Sequence, residues 1–99
     1  MEDQQVITEG FSDITASQQE DFDAVIVKSV ENIETKCGNF SQLKLTRKPV
    51  HQTERSVVHE IHVTLEIDGK QFRASREAHR LMEAVDEAVK VVIGLATKK

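Results

Sequence analysis

Histidine and cysteine are the side chains most able to hold a metal or attack a substrate. This chain has His51, His59, His62, His79 and one cysteine, Cys37. On an extended strand His59 and His62, three positions apart, point to opposite faces and cannot grip one ion. There is no cysteine pair and no H-E-x-x-H motif to supply a zinc site. His59 falls in phase with its apolar neighbours, as a partly buried structural histidine does. Cys37 follows Lys36, which favours a thiolate, but it also lies on an apolar helical stripe and reads as a small core residue. No serine sits in a recognisable nucleophile turn, and no carboxylate stands among apolar neighbours that would raise its pKa for acid–base work. The four glycines, Gly10, Gly38, Gly69 and Gly94, are too dispersed for a phosphate-binding loop. A small hydrolase or metalloenzyme therefore rests on the histidines and Cys37 alone. The expectation is a non-enzyme with no cofactor and no metal.

The remaining chemistry is cationic. The net charge is −4, but its distribution is uneven. Residues 1–23 carry seven acidic groups and no basic one, whereas residues 24–99 carry thirteen Lys and Arg against ten Asp and Glu. One basic group comprises Lys36, Lys44, Arg47, Lys48 and Arg55; a second comprises Lys70, Arg73, Arg76 and Arg80. Lys44 and Lys48 share a strand face, and Arg73 projects from the same side as Gln71 and Ser75. Arg76 and Arg80 are expected beside the start of a helix, with Lys90, Lys98 and Lys99 along or beyond that helix. Such groups neutralise phosphates without reading base sequence. With no Trp or Tyr and four Phe, base stacking is not the expected mode, and RNA would be read by shape and backbone.

These groups must be positioned by one domain spanning residues 1–99, for the chain has room for a single core. No apolar run approaches the length of a membrane span, and the acidic, polar start is unlike a secretory signal. A lone cysteine with no possible internal disulfide adds to an expected cytoplasmic setting and no membrane partner. Residues 4–11 read as a short strand. Ser17 and Glu20 form an S-x-x-E capping box before a helix whose Phe22, Val25, Ile26, Ser29, Val30, Ile33 and Cys37 share a face, with Gly38 as a left-handed cap. Leu43 and Leu45 alternate with Gln42, Lys44 and Thr46 up to Pro49, and a polar loop is expected from about Arg47 to Ser56. Val57–Ile67 is the clearest strand, with Ile61, Val63 and Leu65 inward and Glu60, His62, Thr64 and Glu66 outward. Asp68-Gly69 marks a hairpin turn. The return strand places Phe72 and Ala74 inward, and a second helix is expected from about Ala78 to Thr97. The order β-α-β-β-β-α gives an α+β fold, a four-stranded, mainly antiparallel sheet with two helices on one face. The extra apolar line Ala84, Ala88, Val91 and Leu95 would suit a homodimer or a partner helix. A protein–protein module of the same fold is thus the alternative to nucleic-acid binding.

The stretch from Leu65 to Lys90, with Gly69, Phe72, Ala74, Met82, Ala84, Val85, Asp86 and Lys90 at ungapped spacing, resembles the ribosome hibernation-promoting factor and ribosome-associated inhibitor family. That family has a hairpin, a strand ending near Ala-x-x, and a helix of the form Y-A-A-I-D-x-x-x-D-K-L. The segment Val25–Ile33 is similar to the family's Y-I-x-K-K-L-x-K-L helix. The resemblance, to the short form related to sigma-factor modulation proteins, spans nearly the whole chain. It implies a fold like that of double-stranded RNA-binding domains. It also implies a role in hibernation: binding small-subunit ribosomal RNA, occluding the channel of messenger and transfer RNA, and holding translation off under stress. The long forms' C-terminal extension, which pairs ribosomes, is not expected in a chain ending at Lys99. Of the family's helix lysines, Lys28 and Lys90 map here, with Lys98 and Lys99 approximating its basic C-terminus. Ser29 and Asn32 stand where the family carries lysine, Met82 replaces its tyrosine, and Glu83 adds negative charge. These departures shift the expected RNA contact toward Arg73, Arg76, Arg80 and the Lys44–Arg55 region, which includes Lys48.

Overall fold

The computed structural model describes residues 5–12, 14–48, 51–52 and 57–97. Its elements are β1 (Gln5–Glu9), α1 (Ala16–Cys37), β2 (Gln42–Arg47), the two-residue β3 (His51–Gln52), β4 (Val57–Ile67), β5 (Lys70–Ala78) and α2 (Leu81–Thr97). β4 is the hub. It pairs antiparallel with β2, β3 and β5, while β1 pairs parallel with β2 at one edge. The α+β order expected from the sequence holds, with β3 added to the four main strands.

Alternation along β4 decides what the sheet can hold. Ile61, Val63 and Leu65 are fully buried with Leu43 and Leu45 of β2, and both helices cover that face. From α1 come Phe22 and Ile33; from α2 come Leu81, Ala84, Val85, Ala88, Val89, Val92 and Ile93. Phe11 stacks on Phe22 with ring centroids 4.4 Å apart, closing the core where the chain passes from β1 to α1. The helices run parallel, since each follows a strand of the same direction. Gln18 and Leu81 accordingly meet at one end, and Lys36 and Thr97 at the other.

Several boundaries differ from the sequence expectation. The capping box is Thr15 with Gln18 rather than Ser17 with Glu20. The Gln18 amide donates to the Thr15 hydroxyl (3.1 Å), and the Thr15 amide donates to Gln18 Oε1 (3.0 Å). T-A-S-Q satisfies the same chemistry two residues earlier, so α1 gains about half a turn. Gly38 caps α1 and its amide donates to the Glu34 carbonyl, but its φ of 82° and ψ of −154° are not the left-handed helical pair. α2 starts at Leu81 rather than Ala78, because residues 76–78 extend the ladder as far as the His59–Ala78 pair. The polar stretch from 47 to 56 is not all loop. His51 and Gln52 pair antiparallel with Val58 and Val57. Pro49 lies outside the described residues. Asp68 (φ 52°) and Gly69 (φ 80°) make the expected two-residue hairpin turn.

The extra apolar line is also reassigned. Ala84 and Ala88 are fully buried, Val91 is half-buried, and only Leu95 is substantially exposed, at 42%. Ala84 and Ala88 belong to the chain's own core, so the four do not form a free face for a second copy.

Gly10 has a φ of +87°, and a Cβ there would lie 2.5 Å from the Arg47 carbonyl oxygen. The Arg47 guanidinium in turn donates to the Gly10 carbonyl at 3.3 Å. Gly94 sits in exposed α2 with nothing near its would-be Cβ. Thermal or urea unfolding should therefore separate the two glycines. Gly10→Ala is expected to destabilise by about 2 kcal/mol. Gly94→Ala should stabilise by about 0.5–1 kcal/mol, and equal effects would contradict this account of the β1–β2 contact.

Candidate nucleic-acid interface

Among the described residues nothing covers the face of the sheet away from the helices, and strand register arranges its side chains in rows. Ile7, Lys44, Thr64 and Arg73 form one row; Glu9, Thr46, His62 and Ser75 form the next. Glu60 and Glu77 pair in a third, reached by Lys48, whose amide donates to the Glu60 carbonyl at 2.9 Å. Gln42, Glu66 and Gln71 make the fourth. Strands lie about 4.8 Å apart, so Lys44 and Arg73 stand about 10 Å apart across Thr64. His62, Thr64, Arg73 and Ser75 line a shallow depression of about 220 Å³.

Charge on this face is mixed. Lys44 lies 3.6 Å from Glu9, and His62 Nε2 is 2.6 Å from Glu60 Oε2. Arg73 donates to Gln71 Oε1 at 2.9 Å, a neutral partner, and among the described residues no carboxylate pairs with it. The face offers cations, hydroxyls, amides and the His62 imidazole, but among the described residues no phenyl ring, since Phe72 is turned toward the core. Phosphate and sugar contacts suit such a surface; splayed bases do not.

The expected cations do not form one surface. Arg76 pairs in register with Ile61, so it takes the helix-facing side of β5, opposite to Arg73. Exposed at the end of the sheet, it donates to the Ser75 carbonyl at 2.8 Å. Arg80 lies just beyond β5, at the same end. Lys28 and Lys90 are on the helix side, where Lys90 pairs with Asp86 at 3.0 Å. That side is acidic: Glu20, Asp21, Asp23, Glu31, Glu34, Glu83, Asp86 and Glu87 oppose Lys28, Lys36 and Lys90. Sequence reading grouped Lys28 and Lys90 with the strand cations, but helix and strand periods carry them to opposite faces. It also missed Lys36 as a neighbour of Lys90. The two line an interhelical groove of about 350 Å³ with Asn32, Ile93, Gly94 and Thr97, a meeting that only the parallel helices create. Lys98, Lys99 and Arg55 lie outside the described residues.

Reactive groups are where their patterns put them. His59, half-buried, faces the helices and His62 faces out, as the strand period requires. Among the described residues no three His, Cys, Asp or Glu side chains are placed to hold a metal. Cys37 is half-buried at the end of α1, and burial pushes its thiol pKa up against the opposing pull of Lys36.

The architecture is that of a small α+β domain with two parallel helices on one face of a mixed sheet and the other face open. Two solved structures share it closely. One is a ribosomal subunit interface protein from Coxiella burnetii, with a TM-score of 0.64 and 16% identity over 94% of this chain and 91% of that one. Another is the N-terminal domain of Thermus thermophilus protein Y, with a TM-score of 0.58 and 17% identity over 93% and 92% of the two chains. No protein-family model and no curated protein matches the sequence. At such identities the likeness establishes the fold. It is the fold that the hibernation-factor resemblance implies.

A raised thiol pKa makes a slow nucleophile at neutral pH. Cys37 should therefore react with a thiol reagent at pH 7.5 more slowly than a free cysteine, by about tenfold or more, and accelerate on unfolding. Labelling as fast as the free amino acid would contradict its placement.

Proposed function

We propose that this chain is a ribosome-binding factor of the hibernation type. It would bind small-subunit ribosomal RNA, occlude the channel of messenger and transfer RNA, and act without catalysis or cofactor. Such a role places it in the cytoplasm; no helix among the described residues is long and apolar enough to cross a membrane. The observation that carries the reading is the likeness to a ribosomal subunit interface protein over more than nine-tenths of both chains.

Within that reading, the contact would run over the open sheet face and its ends, through Lys44, Lys48, Arg73, Arg76 and Arg80. The helix side, with its eight carboxylates, opposes an RNA backbone, so Lys28 and Lys90 would contribute less than in the family pattern. Lys98 and Lys99 would extend the cationic surface at the chain's end.

The test is co-sedimentation of the purified protein with ribosomal subunits. Stoichiometric pelleting with the small subunit is expected. With four or five phosphates neutralised rather than all nine proposed cations engaged, affinity should fall roughly 10²–10³-fold between 50 and 200 mM salt. Reversing Arg73, Arg76 and Arg80 to Glu together should abolish pelleting while leaving the circular-dichroism spectrum unchanged. Failure to pellet at either salt would overturn the ribosome reading and favour the protein-interaction module. Pelleting by the triple variant would overturn the choice of surface.

A further inference from the structure

Where both helices begin, the domain holds a cavity of about 420 Å³ outside the open sheet face. Its lining comes from four parts of the chain: Gln18 and Asp21 of α1, His59 of β4, His79 and Arg80 of the link after β5, and Leu81 and Met82 of α2. Among the described residues no carboxylate pairs with the Arg80 guanidinium. Two imidazoles and a guanidinium thus meet in one space, His59 from β4 and the adjacent His79 and Arg80 from the link after β5.

The donor set selects the ligand. Arg80 presents a planar fork that fits two oxygens of a phosphate, and an imidazole ring N–H can donate whether or not the ring is charged. The first amides of α2 face the same end without partners inside the helix, adding to a positive field. Asp21 opposes an anion, but with Gln18 it supplies hydroxyl acceptors at one wall. Leu81 and Met82 give an apolar wall for a sugar ring. A metal does not fit: although Asp21, His59 and His79 share the cavity, they are not placed to hold an ion together.

The geometry points to a ribose-phosphate seat in this cavity, with Arg80, His59 and His79 on the phosphate and Asp21 and Gln18 on the ribose hydroxyls. The phosphate could belong to an RNA backbone or to a free ribonucleotide, since the chemistry is shared. Taken up by RNA, the seat rests on the ribosome reading and deepens it, giving Arg80, already among the proposed contacts, a ribose-phosphate group to hold at the end of the sheet. Its test uses the free protein without ribosomes, so the failure of one proposal is distinguishable from failure of the other.

The experiment follows the imidazole signals of the whole chain by NMR while titrating adenosine 5′-monophosphate or the dinucleoside phosphodiester ApA. The backbone amide signals of Lys36 and Thr97, at the far ends of the two helices, serve as the internal reference. Saturable movement of the His59 and His79 signals with those amides unmoved is expected. Arg80→Gln, an exposed and fold-neutral change, should weaken binding about tenfold or more. The 2′-deoxy monophosphate should bind more weakly than its ribo counterpart. Preference for the monoester assigns a free nucleotide; binding of ApA at least as tight assigns the RNA backbone. No movement with either ligand at tens of millimolar, or an unchanged affinity in Arg80→Gln, overturns the seat.

Discussion

Everything in this domain depends on β4 having two different faces. Its eleven residues alternate so that Ile61, Val63 and Leu65 are sealed under the helices while Glu60, His62, Thr64 and Glu66 look outward. Because β4 lies between β2 and β5, its phase is imposed on both neighbours through the ladder. Leu43 and Leu45 on one side, and Phe72 and Ala74 on the other, must follow it inward. A slip of one residue would turn every core side chain into solvent, so the apolar pattern fixes the register strongly. Burial of three large aliphatic side chains contributes on the order of 1.5–3 kcal/mol each, a large fraction of the stability of a domain this size.

The same alternation separates the charges. Residues on the strands sort by parity and those on the helices by the helical period, so cations adjacent in sequence part company in space. Lys44 and Arg73 come together across Thr64 although 29 positions separate them, whereas Arg73 and Arg76 take opposite faces of one strand. The helix side collects carboxylates, and its lysines are few; one of them, Lys90, is already paired with Asp86. The helix side carries eight carboxylates against three lysines. The open sheet mixes Lys44, Lys48 and Arg73 with Glu9, Glu60, Glu66 and Glu77 and is the less acidic of the two sides. Its hydroxyls, amides and cations are groups that can meet sugar and phosphate.

Much of this was legible in the sequence. Period-2 alternation in Val57–Ile67, the 3.6 period from Phe22 to Cys37 and the Asp68-Gly69 turn specify the central strand, the first helix and the hairpin, because each is a local signal tied to a local conformation. The boundaries were less legible, and for physical reasons. Thr15-Gln18 and Ser17-Glu20 offer the same capping chemistry, and the helix uses the earlier pair. Residues 76–78 carry no strong strand propensity, yet a long β4 offers them ladder partners. The candidate interface was legible as a set of residues but not as a surface. The grouping of Lys28 and Lys90 with Arg73 failed because sidedness is a property of the assembled layers. The apolar line through Ala84 and Ala88 misled for the opposite reason: small apolar residues suit burial in a chain's own core as well as in an interface between chains.

The most direct test of this account is a cryo-EM reconstruction of the chain bound to the small ribosomal subunit. The account predicts density for the domain in the channel of messenger and transfer RNA, with the Lys44–Arg73 row and the Arg76–Arg80 end against the RNA backbone and the acidic helix side turned away. Density with α1 and α2 lying on the RNA, or a domain bound outside the channel, would contradict it.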